Sequence, residues 1–382
     1  MVNFMTKIKI YKAFQAYGTY IDNFYSQSSF SNIPYCKQIE SLSADCFPWI
    51  LSWHIYNCNK DVEIFETIHN APHLQKTWAK ENGIKYNDSN WQVDIVLKQI
   101  EKFQPDVCVI YPPEIFNDNI LSQIRSCVHH DLLIGGYDGM NRLSVFKYEG
   151  YDFVITCSKY ISKYYYDNGI KSYPLEFGFD PKINNLLNAN NHNLYNVTFC
   201  GSLFPNVHKQ RFKLVSYLSK HTPIVISSDY ESDVKYTIFS KKTIKSIFTL
   251  NQEYFNKYSI HRRNIGAKYG IEMFQFLHDS KITINSHGDD IYFAANVRLY
   301  EATGVGTCLL TDWKENIAEI FEPNVECITY TTKEEAVDKI KFLLKHDDLR
   351  KRIALQGQRK TISNYTYNKR IEGVINYIKS LL

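Results

Sequence analysis

KITINSHGDDIYFAANVRLYEATGVGTCLLTD, residues 281–312, decides the fold of this chain. KITINS (281–286) is a short apolar run that ends on a glycine loop with acids, HGDD (287–290). FAANVRLYEATG (293–304) reads as a short helix, and TCLLT (307–311) as a second strand. Helices between short apolar strands point to a parallel sheet covered on both faces. Ligands of such sheets sit outside the carboxyl ends of the strands, which puts HGDD on a binding edge. A helix starting near Ala294–Asn296 would aim its free N–H groups at that edge and favour a diphosphate there. Arg298 and Glu301, three apart, share a helix face. A carboxylate such as Glu301 can accept hydrogen bonds from both hydroxyls of a ribose, and Gly304 and Gly306 allow a tight return into the next strand. Two plainer readings stand beside these. Arg298 and Glu301 also fit a solvated surface pair, and Asp289–Asp290 a turn with a helix cap.

The same alternation extends outward in both directions. Towards the amino terminus, strands are expected at 7–14, 106–111, in DLLIGGYDGM, at 151–158 and in 171–181. Helices are expected at 93–103, in NDNILSQIRSCV, and in KYISKYYYDNG, closed by Gly169. AYGTYIDNFY reads as a loop after the first strand; 15–60 is aromatic-rich and takes no clear assignment. KINNLLNANNHNLYN (182–196), rich in Asn, reads as a linker. A second series follows it, with strands at 195–202 and 223–228, and helices at 209–221 and in KYGIEMFQFLHDS. Thr332 and Glu335 form a capping box for KEEAVDKIKFLLKH. The tail NKRIEGVINYIKSLL carries one apolar helical face. The expectation is an α/β protein of two Rossmann-like domains, 1–181 and 195–364, with 365–382 packing back on the first. A cleft between such domains would hold the ligand.

A chain of 382 residues is long enough for two domains. Its 44 basic and 40 acidic residues leave a net charge of +4, too mild to argue for nucleic acid. Slight basicity suits an anionic small molecule or peripheral contact with a membrane surface. The 9 cysteines form no CxxC pair, which argues against a zinc site or a disulfide framework. The start, MVNFMTKIKIYKAF, has no apolar signal-peptide core, and no apolar run is long enough to span a membrane. The expected location is the cytoplasm, including the inner face of its membrane.

NVRLYEATGVGTCLLTDWKENIAEIFEPNVECITY, continued by HDDLRKRIALQGQRKTISNYTYNKRIE, resembles the carboxy-terminal domain of the CgeB-like spore-maturation glycosyltransferases. These are similar to the family 1 and family 4 glycosyltransferases of GT-B architecture. KTWAKENG, QIEKFQPDVCVIYPP and YPLEFGFDP carry the resemblance more loosely into 75–180. It implies a nucleoside-diphosphate-sugar donor (UDP-, GDP- or dTDP-sugar) held mainly by the second domain. It also implies a glycan or lipid-linked acceptor met mainly by the first, and a final helix returning to the first domain. On this resemblance Glu301 matches the ribose-binding second Glu of the E-x7-E signature. The first Glu falls at Phe293, so contact with the donor sugar passes to His287, Asp289 or Asp290, beside Gly288 and Asn296. CGSLFPNVHKQR resembles the loop after the first strand of the donor domain. Lys209 and Arg211 are there the candidates for the pyrophosphate, with Ser202 and the Gly201 amide nearby; solvated bases in a first helical turn are the plainer reading.

Such a transfer needs positive groups to stabilise the leaving diphosphate, and these can stand in for a metal, so none is expected. An acceptor base is needed only for inversion, and Asp22, Asp138 and His287 are candidates beside ordinary turn-forming roles for the aspartates. A serine hydrolase is disfavoured by the lack of G-x-S-x-G, and Walker and H-E-x-x-H motifs are also missing. The alternatives are a non-catalytic binding protein of the same fold and a sugar-nucleotide epimerase.

Overall fold

The computed structural model describes residues 7–26, 33–45, 51–54, 61–139, 148–188, 193–230, 252–289 and 291–382. The chain forms two compact units: Met1–Phe177 with Tyr367–Leu382, and Gly178–Thr366.

The first unit is built on β1 (Ile8–Phe14), β2 (Val62–Ile68), β3 (Val107–Ile110), β4 (Leu133–Asp138), β5 (Phe153–Thr156) and β6 (Ser172–Pro174). They form one parallel sheet in the order β2-β1-β3-β4-β5-β6. All four residues of β3 and of β5 are buried, as expected of strands covered on both faces. The covering helices are α1 (Gly18–Ser26), α2 (Tyr35–Ala44), α3 (Pro72–Glu81), α4 (Trp91–Phe103), α5 (Asp118–Ser126) and α6 (Lys159–Asp167). Asn117 caps α5 and Ser158 caps α6, each accepting from an amide of the first turn. The final helix, Tyr367–Leu381, belongs to this unit and buries Ile371, Val374, Ile375 and Ile378. Tyr377 stacks on Tyr173 with ring centroids 5.0 Å apart.

Several readings of this half need correction. AYGTYIDNFY is a helix from Gly18, not a loop. Tyr20 and Ile21 bury on one side, and Tyr20 meets Phe24 one turn on, so packing overrides a poor helical composition. β2 and α3 lie between 61 and 92, where the sequence reading names no element; β2 pairs with β1 at the edge of the sheet, and α3 follows it. The strand expected over 171–181 is limited to Ser172–Pro174.

The second unit holds β7 (Tyr195–Cys200), α7 (Lys209–His221), β8 (Ile224–Ser227), α8 (Gln252–His261), α9 (Gly270–His278), β9 (Ser280–Asn285), α10 (Arg298–Gly304), β10 (Cys308–Asp312), α11 (Ile317–Ile320), β11 (Ile328–Tyr330), α12 (Lys333–Lys345) and α13 (Asp347–Asn364). Its sheet is parallel, in the order β11-β10-β9-β7-β8. Val197, Phe199, Ile282, Ile284, Cys308 and Leu310 form the centre of its core. The expected linker is not free chain over its first part. Residues 181–185 form a 3-10 turn, Ile183 is buried, and Asn184 Nδ2 donates to the Gly304 carbonyl oxygen at 3.2 Å. Most of 229–265 lies outside the described residues.

Candidate site at the switch point of the second sheet

In the second sheet the chain runs from β7 outward to β8, then returns to the other side of β7 as β9. The chain therefore leaves β7 and β9 towards opposite sides of the sheet, and in open α/β sheets ligands bind in the crevice at the strands' carboxyl ends at such a switch point. Arg211 ties the two loops together there. Its Nε and Nη2 donate to the Ser286 carbonyl oxygen at 3.1 and 2.9 Å, and its Nη1 donates to that of Ser202 at 3.3 Å. Arg211 is thus neither a solvated base nor a group free to swing onto a ligand, but its charge stays fixed beside the crevice. Lys209, by contrast, is exposed at the start of α7.

Glu301 lies in α10 and is 5% exposed. Its Oε2 is 2.8 Å from Nη1 of Arg298, which also approaches the Met273 sulfur at 3.3 Å. The pair is inside the protein, so the solvated-pair reading fails. Burial pushes the Glu301 carboxyl above its ordinary range, and Arg298 opposes that.

The segment before α10 corrects the expected helix start. The Ala294 amide donates to Asn316 Oδ1 at 2.6 Å, and Asn316 Nδ2 donates back to the Ala294 carbonyl oxygen at 2.9 Å. Asn296 Nδ2 donates to Asn285 Oδ1 at 2.7 Å. The Ala294 backbone is bonded to Asn316 on both its polar groups, and the helix begins only at Arg298. It has seven residues, so the expected diphosphate seat on a helix starting at Ala294–Asn296 is withdrawn. Gly306, at φ +81°, makes the return into β10. Gly304 serves packing instead: a Cβ there would lie 2.3 Å from the Phe179 ring.

His287 is buried, and its Nδ1 lies 2.7 Å from Oδ1 of Asp312 at the end of β10. The His287 amide donates to the same oxygen at 3.0 Å. Asp289 accepts the Gln210 amide on both oxygens, at 3.0 and 3.2 Å, and so caps the first turn of α7. That answers the cap reading, though on a different helix from its own. The Gly201 amide, offered in sequence to a pyrophosphate, donates to the Ser227 carbonyl oxygen at 3.0 Å, because the β7–β8 ladder runs one residue past the strand. Gly288 is half-buried beside His208 and Ile291. Asp290 lies outside the described residues.

Three buried polar atoms on this edge have no hydrogen-bond partner among the described residues: His287 Nε2, Asn296 Oδ1 and Glu301 Oε2, whose ion pair with Arg298 is described above. Buried polar atoms are seldom left this way without a ligand or water to meet them. Sequence reasoning missed Asp312, Lys314 and Asn316, at and just after the carboxyl end of β10, which bond to His287, Ile291 and Ala294 respectively. Lys314 Nζ donates to the Ile291 carbonyl oxygen at 2.6 Å. The strand-end rule that selected HGDD applies equally to TDWKEN and would have found them.

The two acids proposed as acceptor bases belong to the first unit. Asp22 is exposed on α1, not in a loop after the first strand. Asp138 is buried at the end of β4 and accepts the Tyr165 hydroxyl at 2.9 Å, which fastens α6 to the sheet. Among the described residues no cluster of three or more His, Cys, Asp or Glu is placed to hold a metal. None of their helices is long and apolar enough to cross a membrane.

Two parallel α/β sheets of these orders match the GT-B fold seen in solved glycosyltransferase structures. The HepE protein of Anabaena, solved with UDP and glucose, superposes with a TM-score of 0.59 at 10% identity, covering 98% of this chain and 100% of that one. Sucrose-phosphate synthase from Thermosynechococcus elongatus gives 0.55 at 11%, covering 98% and 99%. The lipopolysaccharide outer core galactosyltransferase WaaB in its apo form gives 0.52 at 12%, covering 98% and 100%. Residues 231–376 match the family model described as glycosyl transferase-like. No curated protein sequence matches the chain.

Proposed function

We propose that this protein is a glycosyltransferase that moves a sugar from a nucleoside-diphosphate donor to a glycan, lipid-linked or protein acceptor. The observation that carries the reading is the buried carboxylate of Glu301, paired among the described residues only with Arg298, beside the unpartnered buried atoms Asn296 Oδ1 and His287 Nε2 on the same edge of the second sheet. In this reading Glu301 takes the ribose hydroxyls. Arg298, Arg211, Lys209 and Lys314 supply the positive field in which the leaving diphosphate gathers charge. Asn296 and His287 face the donor between them, with Gly288 and Ser202 bounding the crevice. Asp289 contributes through α7, which it caps, and we assign the acceptor base to neither Asp22 nor Asp138. A UDP-sugar is the first donor to try, since HepE is solved with UDP and glucose. The resemblance to CgeB-like enzymes suggests a setting in bacterial surface polysaccharide assembly, at the cytoplasmic face of the membrane.

Phe293, standing where the signature has its first Glu, favours a second reading: a protein that binds the nucleotide sugar without transferring it. Incubation with UDP-, GDP- and dTDP-sugars, followed by chromatography for released nucleoside diphosphate, separates the two. Release above the spontaneous rate, stimulated by glycan acceptors, supports transfer. Binding with no release under any acceptor supports the second reading.

A further inference from the structure

His287 and Asp312 form a pair whose chemistry the donor reading does not use. The carboxylate takes both the His287 amide and Nδ1, through one oxygen. This fixes the ring: Nδ1 carries a proton towards Asp312, and Nε2 is turned the other way. Nε2 is closed off from solvent and has no hydrogen-bond partner among the described residues. As a neutral ring, His287 therefore buries a bare acceptor; as a cation, it would bury an unmet N–H. An anionic oxygen arriving at Nε2 resolves this only with the ring protonated, because a bare nitrogen and an anion repel. Asp312 makes that cation affordable in the interior. Its carboxyl is pushed up by burial, but His287 and Lys314 outweigh this and hold it below the usual range, so it stays ionised.

The charged groups around the ring support an anion. Lys314 Nζ lies 3.5 Å from Asp312, the Arg211 guanidinium sits on the adjacent Ser286 carbonyl oxygen, and Arg298 stands on α10. Against these stand Asp312 itself, Asp289 on the α7 amide and Glu301, which is paired with Arg298. Tyr330 gives its hydroxyl to the Asn285 carbonyl oxygen, and His208 lies beside Gly288. Nearby, Lys314 Nζ donates to the Ile291 carbonyl oxygen, and Asn316 bonds both backbone groups of Ala294.

We propose that Asp312 is a positioning residue that prepares His287 to take up a proton when the diphosphate of the donor binds, so that Nε2–H meets a phosphate oxygen. The proposal rests on the donor reading of this site. Its consequence is that UDP binding is accompanied by proton uptake and weakens on the alkaline side, apart from the acid-side loss that protonation of Glu301 would bring.

Calorimetry of UDP binding to the full chain, in two buffers of different ionisation enthalpy, tests this. The wild type should take up a fraction of a proton near neutral pH. His287→Gln, which cannot titrate, should abolish that uptake and weaken binding about tenfold. Asp312→Asn should reduce the uptake and move the pH step to lower pH, and Asp312→Glu should restore part of both. UDP binding to the wild type without proton uptake would overturn the proposal while leaving the donor site intact. Failure of UDP, GDP and dTDP all to bind the wild type would overturn the donor reading and the proposal together.

Discussion

Arg298 and Glu301, one turn apart on a seven-residue helix, form an ion pair at 2.8 Å with both side chains nearly buried. A buried pair costs desolvation that its attraction barely offsets. It is better explained by what it presents than by what it stabilises. Glu301→Gln keeps the shape and removes the charge. UDP should then bind about tenfold more weakly or worse, since a hydrogen bond to a charged group contributes about 1.5–3 kcal/mol. Burial raises the carboxyl's pKa, so ionisation, and with it affinity, should fail on the acid side at higher pH than an exposed glutamate would allow. Titration calorimetry from pH 5 upward reads both effects.

Asp289 separates two roles. As the cap of α7 it should tolerate Asn, while Asp289→Ala should cost about 1 kcal/mol of stability in urea denaturation. A large loss of nucleotide affinity in Asp289→Asn, with stability kept, would instead return it to the sugar.

Gly304 faces the Phe179 ring so closely that a methyl group has no room. Gly304→Ala should destabilise the second unit by about 1–3 kcal/mol through overpacking, read as a lower urea midpoint with unchanged slope.

Glu66 lies in the first unit, far in sequence from the candidate site. Its carboxylate pairs with the buried Lys12 at 2.8 Å and accepts the Ser52 and His54 amides and the His54 ring. Burial pushes its pKa up, yet Lys12 and His54 together hold it down to about 2. Burial also pulls the Lys12 ammonium down against the pull of Glu66. With three further donors on Glu66, the ionised pair is the form that holds at neutral pH. A depressed carboxyl contributes stability above its ordinary 4.5, and that stability is lost as pH falls through about 2. Glu66→Gln should therefore cost about 3–5 kcal/mol at pH 7, by stranding Lys12. It should also flatten the acid unfolding curve between those two pH values, followed by circular dichroism.

Much of this fold is legible in the sequence because strands buried on both faces are short apolar runs, as in VCVI, FVIT and KITIN. The 209–221 helix and the Thr332 cap are legible for equally local reasons. What escapes is set by tertiary contact. Gly18–Ser26 is helical because its aromatics pack, and Ala294–Asn296 is not helical because Asn316 and Asn285 hold it. At the site, the pairing of Arg298 with Glu301 is readable from their spacing of three. Asp312 is not readable as the partner of His287, because parallel pairing of β9 with β10 brings together residues 25 apart.

The central claim is that the second unit binds a nucleoside diphosphate through Glu301. Thermal unfolding of the full chain with UDP, GDP, dTDP and their sugars, beside Glu301→Gln, tests it most directly. At about 100 times Kd a ligand adds about 2.7 kcal/mol, or roughly 5–10 °C for a domain of this size. One nucleotide class should raise the wild-type transition by that amount and that of the variant by about half as much, since a tenfold weaker Kd leaves about 1.4 kcal/mol. A wild type that none of them stabilises, or a variant stabilised as much as the wild type, would contradict it.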